Sequence, residues 1–420
     1  MYLEKIRLEN FKSHVNWEIP LSQFNILIGS NSSGKSSILQ ALLILKTSLK
    51  QQGTNNLTYS TDSYDYGNFK DVVSFGDLTR KIRIGVEGIK TIATGIDYEG
   101  KTKADFGYYV TEGEKGISDV YLGVNVDHYD FEFSYRNQKT RINSRRGQEE
   151  KSTLECSING LHPRIASKEG SETSTRINNI FANGEFTEQL LDEFFYIPFF
   201  RSATKYGVKL VRTPDDLLSS SPESLMDVTL SKLSKDTDLL GKISSFIHQL
   251  TGKTIRTRNV DLLSSELQGV TLEFVKNGFA NAIANEGTGP NQVILLLTIL
   301  VGSPSGSVIA IDEPEIHLHP KAQSKLVELM IEISNKDNKQ LIFTTHSEHM
   351  LYPFLAKIAS KQQINPTRVT VNSFYQDEKT GVSKIETLPI NEHGQIKNGL
   401  KEFWETDFEM FSKYVGEPND

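Results

Sequence analysis

The sequence predicts an α/β fold with an antiparallel β lobe and a helical insertion, and three observations lead to this prediction. Apolar runs at 24–28, 308–311 and 340–344 each end in polar residues, as the buried strands of a parallel sheet do. Between 81 and 136, short alternating runs are separated by Gly, Asp and Asn, which is typical of antiparallel strands. Leucine spacing from 217 to 250 indicates helices.

Length, composition and charge limit the class of protein. A chain of 420 residues with 24% charged and 37% hydrophobic residues is typical of a globular protein of two or three domains. Its net charge of −7 argues against a surface coated in positive charge for nucleic acid, although it leaves room for a local basic patch. The single cysteine, Cys156, excludes a disulfide framework and suits a reducing cytosol. Since no run of 18 apolar residues and no signal-peptide core is found, we expect a cytoplasmic protein without membrane contact.

The remaining elements follow from local patterns taken in order. Alternation predicts strands at 2–9 and 15–19, and a polar, Ser/Thr/Asn-rich run predicts a mobile loop at 51–66. We also expect loops at 137–151, which is charged, and at 159–174. The later predictions are a buried strand at 194–200, strands near Val260 and at 270–275, an apolar helix at 293–300, a helix opening at His319-Pro320, two strands after Arg368 and a helix at 403–414.

A glycine-rich segment between the strand at 24–28 and an amphipathic helix at 38–49 carries the strongest chemical signal. It reads Gly-Ser-Asn-Ser-Ser-Gly-Lys-Ser, the Walker A pattern, and its strand–loop–helix context makes an accidental Ser/Gly-rich turn the weaker interpretation. Backbone N–H groups and the helix N-terminus would surround a phosphate chain, Lys35 would reach the β- and γ-phosphates, and Ser36 would ligate Mg²⁺. The predicted nucleotide-binding residues of this loop are Gly29, Ser30, Asn31, Ser32, Ser33, Gly34, Lys35, Ser36 and Ser37.

Two further strand ends supply candidate catalytic groups. Asp312 follows the strand at 308–311 and would hold Mg²⁺, while Glu313 would act as the base that orients the attacking water. His346 follows the strand at 340–344 and would sense the γ-phosphate. A surface acidic turn and a surface histidine are the alternative interpretations, and the Walker A segment makes both less favoured.

At this point the chain resembles a family. The Walker A segment, Asn285–Gly289, Ile311–Glu315, His317–Pro320 and Thr345–Ser347 together look like the ABC-type ATPases of the OLD/RecF/SMC branch. The opening Leu-Glu-Asn-Phe-Lys-Ser at 8–13 is similar to the first strand of that branch. The resemblance covers about residues 1–75 and 265–355, and residues 81–264 resemble no family that we can name.

The resemblance implies a homodimer in which two heads enclose two ATP molecules with Mg²⁺, and higher oligomers are compatible with it. In such a dimer Gly287, Thr288 and Gly289 would form the signature that meets the partner's Walker A loop. Glu286 stands where the branch usually has a serine that contacts the γ-phosphate. Either Thr288 or Asn291 makes that contact here, or the segment aligns with the signature in a different register. The segment 66–71 is where we would look for the Q-loop residue.

The same resemblance suggests a domain division at 1–80 (Walker A half of the ATPase head), 81–205 (β-rich lobe), 206–264 (helical insertion) and 265–420 (signature, Walker B and switch-histidine half). A substantial insertion therefore separates the two halves of the head, and it lacks the heptad run of SMC arms. The tail after His346 is too short for a TOPRIM nuclease domain such as OLD proteins carry. We therefore expect an ATPase without its own effector.

Three functions remain open from the sequence. The leading one is an ATPase that closes around ATP and gates a separate effector, a nuclease or toxin in prokaryotic anti-phage defence. The second is a RecF-like ATPase of DNA repair that binds DNA ends, and the third is a nucleotide-sensing scaffold that does not hydrolyse.

Other noticeable residues have simpler explanations than a second site. A zinc site is not the simplest explanation for four histidines in the C-terminal half, which are His317, His319, His346 and His349. A loop that carries His317 and His319, together with His346 as the phosphate sensor, explains them more simply. A solvated loop is the first interpretation of a basic cluster near the middle of the chain, ahead of nucleic acid or an acidic partner. The cluster consists of Arg136, Lys139, Arg141, Arg145, Arg146 and Lys151.

Overall fold

A computed structural model describes most of the chain, and its elements are numbered here in chain order. The described residues are 1–51, 55–61, 64–93, 101–126, 129–134, 139–144, 154–159, 161–167, 185–199, 208–209, 222–261, 268–361 and 364–396. No helix within these ranges has both the length and the apolar character needed to cross a bilayer.

Twenty-one strands are present in the described ranges. They are β1 (Tyr2–Phe11), β2 (His14–Pro20), β3 (Phe24–Gly29), β4 (Ser60–Thr61), β5 (Tyr64–Asp65), β6 (Ile82–Ala93), β7 (Lys101–Gly113), β8 (Gly116–Val126), β9 (Tyr129–Ser134), β10 (Lys139–Ser144), β11 (Leu154–Asn159), β12 (His162–Ser167), β13 (Phe194–Ile197), β14 (Val208–Lys209), β15 (Thr254–Asp261), β16 (Gln268–Lys276), β17 (Phe279–Ala282), β18 (Val308–Ile311), β19 (Gln340–Thr345), β20 (Val369–Gln376) and β21 (Ser383–Leu388).

Eight α-helices accompany these strands in the same ranges. They are α1 (Lys35–Lys50), α2 (Phe69–Val72), α3 (Glu185–Glu188), α4 (Pro222–Lys235), α5 (Thr237–Thr251), α6 (Thr288–Gly302), α7 (Pro320–Lys336) and α8 (Glu348–Ala359). Short 3₁₀ turns occur at Ser74–Gly76, Ile283–Asn285 and Pro366–Arg368.

The predicted antiparallel sheet exists, and it includes the first two strands of the chain. Seven strands pair in the order β10-β9-β8-β7-β6-β1-β2, and every neighbouring pair is antiparallel. The strands that start at Ile82 therefore continue a sheet that begins at Tyr2. Alternate residues such as Ile84, Tyr108 and Val110 are fully buried and face the core.

A second sheet contains the three strands whose polar ends were identified from the sequence. Its order is β13-β18-β19-β3-β20-β21, with parallel pairing throughout except for β21. Its strands β3, β18 and β19 are buried on both faces, which explains why they read as continuous apolar runs. Leu27 and Ile342 face the core shared with α1 and the seven-stranded sheet, whereas Ile26 and Phe343 face the core built with helices α4 to α8.

Several loop predictions need correction. Within 51–66 the backbone is largely irregular, but Leu57 and Tyr59 are buried, and Glu112 of β7 accepts hydrogen bonds from the Leu57 N–H and the Tyr59 hydroxyl. That part of the segment is anchored, so the prediction of a mobile loop is wrong there. The predicted loops at 137–151 and 159–174 contain β10 and β12, so two residues of the basic cluster, Lys139 and Arg141, belong to a strand. The predicted final helix at 403–414 and the other four residues of the basic cluster lie outside the described residues.

The expected helices and strands of the insertion and the C-terminal half are present. Helices α4 and α5 cover 222–251, and β15 and β16 are the strands expected near Val260 and at 270–275. The apolar helix is α6, and α7 begins at Pro320 with the side chain of His319 accepting from the Lys321 N–H as its N-cap. The strand predicted at 194–200 is β13, which is shorter and ends at Ile197.

Candidate functional site

Three polar strand ends meet at one edge of the parallel sheet. Strand β19 lies between β18 and β3, with Ile311 of β18 opposite Phe343 and Ile28 of β3 opposite Thr345. The residues that follow β3, β18 and β19 are therefore neighbours, although β3 lies hundreds of residues before the other two strands in sequence. This edge is where open parallel sheets bind ligands.

The Walker A loop is held in a shape that requires glycine at two positions. Gly29 has φ 147°, and a Cβ there would lie 2.1 Å from the Phe374 carbonyl oxygen of β20. Gly34 has φ 99° and precedes α1, whose N-terminus has no side-chain cap. Backbone N–H groups at this helix start thus remain available for an anion, so the loop fits a phosphate chain.

A set of buried side chains supports the loop from behind, and the sequence analysis missed it. His14 Nε2 lies 2.9 Å from the Gly34 carbonyl oxygen, and the Ser383 hydroxyl donates to the Ser33 carbonyl at 2.7 Å. Burial lowers the pKa of His14 to about 4, so the ring is neutral and its Nε2 carries the proton that the carbonyl accepts. The Ser383 oxygen in turn accepts a hydrogen bond from the Ser13 hydroxyl, 2.6 Å away. No local motif marks these residues.

Lys35 points into the Walker A loop. Its Nζ donates to the carbonyl oxygens of Gly29 at 2.9 Å and Ser30 at 2.8 Å. Burial lowers the pKa of Lys35 to about 8, and the carboxylates of Glu313 and Asp312 act in the opposite direction. The amine is therefore mainly charged at neutral pH and lies where a phosphate oxygen would be bound.

Ser36 and Asp312 form the oxygen pair that a magnesium ion requires. The Ser36 hydroxyl lies 2.8 Å from Asp312 Oδ1, and Thr344 Oγ1 also contacts Oδ1 at 2.5 Å. Hydroxyl and carboxylate oxygens are the hard ligands that Mg²⁺ prefers. The predicted metal residues are therefore brought together, and the chemistry of the donor set fits the ion.

Glu313 and His346 also meet. His346 Nε2 lies 3.2 Å from Glu313 Oε1, and the Glu313 N–H donates to Thr344 Oγ1 at 3.0 Å. Glu313 has φ 47°, a left-handed conformation that is uncommon for residues other than glycine and that clusters at functional sites. This turn directs the carboxylate towards the end of β19, next to the predicted sensor.

Glu315 is a second residue that the sequence analysis did not assign. Its Oε1 accepts hydrogen bonds from the Thr345 hydroxyl and from the His346 N–H, the latter at 3.0 Å, while its Oε2 is buried without a hydrogen-bond partner. Burial raises the pKa of Glu315, and the neighbouring Glu313 carboxylate adds to this rise. Glu315 thus joins the loop after β18 to the start of the His346 segment.

The segment proposed for the Q-loop residue begins at Tyr66, whose ring contacts Lys12. Burial raises the pKa of Tyr66, and the nearby Tyr64 and Asp312 raise it further. The Lys12 amine lies 4.7 Å above the Tyr66 ring and donates to Gln40 Oε1 at 2.5 Å. Lys12 is thus a half-buried cation beside the first residue of this segment.

The predicted signature lies at the start of α6, away from the Walker A loop of the same chain. Gly287 is the N-cap, and a Cβ on Gly289 would lie 2.6 Å from the His317 carbonyl oxygen, so the helix packs closely on the segment after Walker B. Among the described residues no hydrogen bond or ion pair joins Gly287, Thr288 or Gly289 to the Walker A loop. The Glu286 carboxylate is paired with Lys253 Nζ at 2.6 Å, so its negative charge is compensated within the chain.

The histidines near the site do not share a metal geometry. Within the described ranges, no three His, Cys, Asp or Glu side chains are grouped as metal ligands. His319 caps α7, and His349 Nε2 lies 3.8 Å from Glu348 Oε1. His317 has φ 60° in the turn before α7.

Comparisons with known proteins identify the family of the chain. A family model described as an AAA ATPase domain matches residues 1–351. An OLD nuclease of Thermus scotoductus is 47% identical over 91 residues, which make up 20% of this chain and 16% of that protein. The matched segment is therefore a small part of that relative's length.

Two solved structures align with most of the chain. An Smc head bound to the C-winged helix domain of ScpA aligns over 93% of this chain and 99% of its own, with a TM-score of 0.50 and 15% identity. An Smc head with an extended coiled coil from Pyrococcus furiosus aligns over 99% and 100%, with a TM-score of 0.47 and 12% identity. The first of these likenesses identifies the fold as that of ABC-type P-loop ATPase heads, and the family match over residues 1–351 shows that the chain belongs to the AAA ATPase domain family.

Proposed function

We propose that this protein hydrolyses ATP, closes as a homodimer around the nucleotide, and uses that closure to gate an effector. One observation carries the proposal: Lys35, the Ser36–Asp312 pair and the Glu313–His346 pair converge at one sheet edge. Each group has the chemistry that phosphoryl transfer to water needs, and the groups come from three different strands.

The residues have separable roles in hydrolysis. Lys35 binds phosphate oxygens, and the N-terminus of α1 adds its positive end. Ser36 and Asp312 would hold Mg²⁺, which when bound neutralises charge on the β- and γ-phosphates. Glu313 orients a water and takes its proton, while His346 steadies the Glu313 carboxylate through the 3.2 Å contact.

Dimerisation would supply the second half of the site. Gly287 and the uncapped start of α6 offer backbone N–H groups to an anion, and Lys253 already neutralises Glu286 beside them. Since these groups do not contact the Walker A loop of their own chain, we assign them to the partner's γ-phosphate. ATP then favours the closed state because only that state contacts the phosphate from both sides.

The effector assignment follows from relatives of the chain. One similar protein is named an OLD nuclease, and one similar structure holds an Smc head bound to the winged-helix domain of ScpA. We infer that this ATPase likewise works with another protein component. That component would be a nuclease or toxin, acting with it in the cytoplasm in defence against phage.

The test compares two site variants and one control. Glu313→Gln should bind ATP normally, lose about 10²- to 10⁴-fold in turnover because it removes the base, and accumulate as an ATP-dependent dimer in gel filtration with light scattering. Lys35→Ala should lose ATP binding in calorimetry and remain monomeric. The control, Glu332→Gln on the exposed face of α7, should behave as the wild type. Normal turnover by Glu313→Gln would exclude the assigned base, and a monomer with bound ATP would exclude the dimer.

A further inference from the structure

The outer face of the seven-stranded sheet carries a groove of about 820 Å³. It lies on the side opposite the buried core, and none of the residues that line it belongs to the Walker A or Walker B segments. Neighbouring residues of the same strands, such as Tyr108 and Leu122, are buried on the inner face, whereas Tyr109 and Tyr121 face outwards. The groove is therefore distinct from the nucleotide site.

Glycines in the strands allow two tyrosine side chains to approach the sheet backbone closely. A Cβ at Gly85 would lie 2.1 Å from the Tyr109 ring, and one at Gly123 would lie 2.7 Å from the Tyr121 hydroxyl. Tyr109 and Tyr121 are direct cross-strand partners on β7 and β8, with ring centroids 5.5 Å apart. The groove thus contains a pair of adjacent aromatic rings, tilted by 46° to each other.

The first of these rings already binds a guanidinium group of the same chain. Arg7 lies with Cζ 5.2 Å from the centre of the Tyr109 ring, and its two terminal nitrogens pair with Glu18 and Glu87 at 2.9 Å each. Ring and carboxylates together provide cation–π attraction and charged hydrogen bonds. This arrangement shows which ligand chemistry the surface accommodates.

The second ring has a carboxylate beside it as well. The Tyr121 hydroxyl donates to Glu132 Oε1 at 3.2 Å, and Asp105 is exposed in the same groove. Among the Lys and Arg residues whose side chains the structure describes, none stacks on Tyr121 or pairs with Glu132 or Asp105. An aromatic face beside unneutralised carboxylates attracts cations and repels phosphate.

We propose that this groove docks an arginine-bearing basic segment of a partner protein, with one arginine stacked on Tyr121 and paired with Glu132. Arginine fits better than lysine because its planar guanidinium both stacks and forms forked hydrogen bonds. Nucleic acid does not fit, since Glu87, Asp105 and Glu132 would face its phosphates. The docking does not depend on ATP hydrolysis, so its failure would leave the proposed ATPase untouched.

The probe is a labelled 12-residue peptide of alternating arginine and serine, measured by fluorescence anisotropy with the full chain. Its binding should weaken as salt rises, and the lysine–serine analogue should bind about threefold more weakly or worse. Asp105→Asn with Glu132→Gln should weaken the arginine peptide at least about tenfold. Tyr121→Leu, which covers Gly123 but removes the π-face, should weaken it about fivefold.

Matched controls make the result decisive. Glu378→Gln with Glu392→Gln removes two exposed carboxylates outside the groove, and this variant should bind the peptide within twofold of the wild type. All variants should keep wild-type ATP turnover. The proposal is overturned if the arginine peptide does not bind, if the groove and control variants weaken it equally, or if spermidine or duplex DNA displaces it at equal concentration.

Discussion

Gly34 depends on residues far from it in sequence. A Cβ at this position would lie 2.6 Å from Ser383 Oγ and 2.8 Å from His14 Nε2, and φ is 99°, so a larger residue meets both strain and collision. His14 is fully buried and its Nδ1 has no hydrogen-bond partner. The loop shape therefore rests on an imidazole that must stay neutral.

This requirement predicts a loss of stability in mild acid. The pKa of His14 is lowered to about 4 from an ordinary value of 6.5, chiefly by burial and also by the nearby Lys12, while the bond to Gly34 opposes the change. Below pH 6.5 the His14 ring becomes protonated in the unfolded chain but stays neutral in the folded chain. The resulting loss of unfolding free energy is absent above pH 6.5 and grows as the pH falls towards 4. Between pH 7.5 and 5.0 this loss amounts to about 2 kcal/mol.

The measurement is urea unfolding of wild type and His14→Gln at both pH values. The glutamine amide can still donate to the Gly34 carbonyl but cannot be protonated, so the variant should lose about 2 kcal/mol less than the wild type on acidification. Equal losses in the two proteins would show that His14 already carries a proton when folded.

Individual residues also show which parts of the candidate site could be predicted from the sequence. Lys35, Asp312 and Glu313 lie in contiguous motifs whose chemistry depends on neighbours within a few positions, so the sequence could assign them roles. The contacts of Glu315 with the end of β19 and of Ser383 with the Walker A loop join residues 30 and 350 positions apart. Such pairs follow from strand order, which local patterns do not specify.

At the scale of elements, the start of α6 depends on one glycine and not on another two positions away. Gly289 packs against the His317 carbonyl, whereas Gly287, with φ −61°, has open space where its Cβ would be. Gly289→Ala should therefore lower the free energy of unfolding by about 1–3 kcal/mol through overpacking, and Gly287→Ala should change it by less than about 0.5 kcal/mol.

Thermal and urea unfolding of the two alanine variants test this difference. If Gly287 faces the partner's nucleotide in the proposed dimer, its alanine variant should lose ATP-dependent dimerisation while keeping wild-type stability. A stable Gly289→Ala protein would mean that α6 and the segment after Walker B are not in close contact.

Strands with an apolar pattern could be predicted from the sequence. Strands that are defined only by backbone hydrogen bonds to a neighbouring strand could not. Strands β3, β18 and β19 are apolar because both faces are buried, and all three were expected. Strand β10 reads Lys-Thr-Arg-Ile-Asn-Ser and pairs only with β9 at the sheet edge, so nothing in its composition requires burial. The charge of this segment indicated a loop, and its backbone ladder to β9 makes it a strand instead.

At the scale of the whole molecule, the proposed nucleotide site joins two hydrophobic cores. The parallel sheet has one core with α1 and the seven-stranded sheet on one face and a second core with α4 to α8 on the other. Lys35 and Ser36 begin α1, whereas Asp312, Glu313 and His346 extend from strands that also pack against the second core. A ligand held by both sets should stabilise both cores together.

Binding linkage turns this arrangement into a prediction about thermal stability. ATP with Mg²⁺ at about 100 times its dissociation constant should stabilise the folded protein by about 2.7 kcal/mol, because the unfolded chain lacks the site. Differential scanning calorimetry should show a higher Tm for wild type and Glu313→Gln, but no shift for Lys35→Ala, whose phosphate contacts are lost. In Glu313→Gln, which is expected to remain dimeric, the ATP-bound Tm should also rise with protein concentration, since dimer dissociation accompanies unfolding. A ligand-induced rise that is independent of protein concentration in this variant would show that the nucleotide is bound by one chain alone.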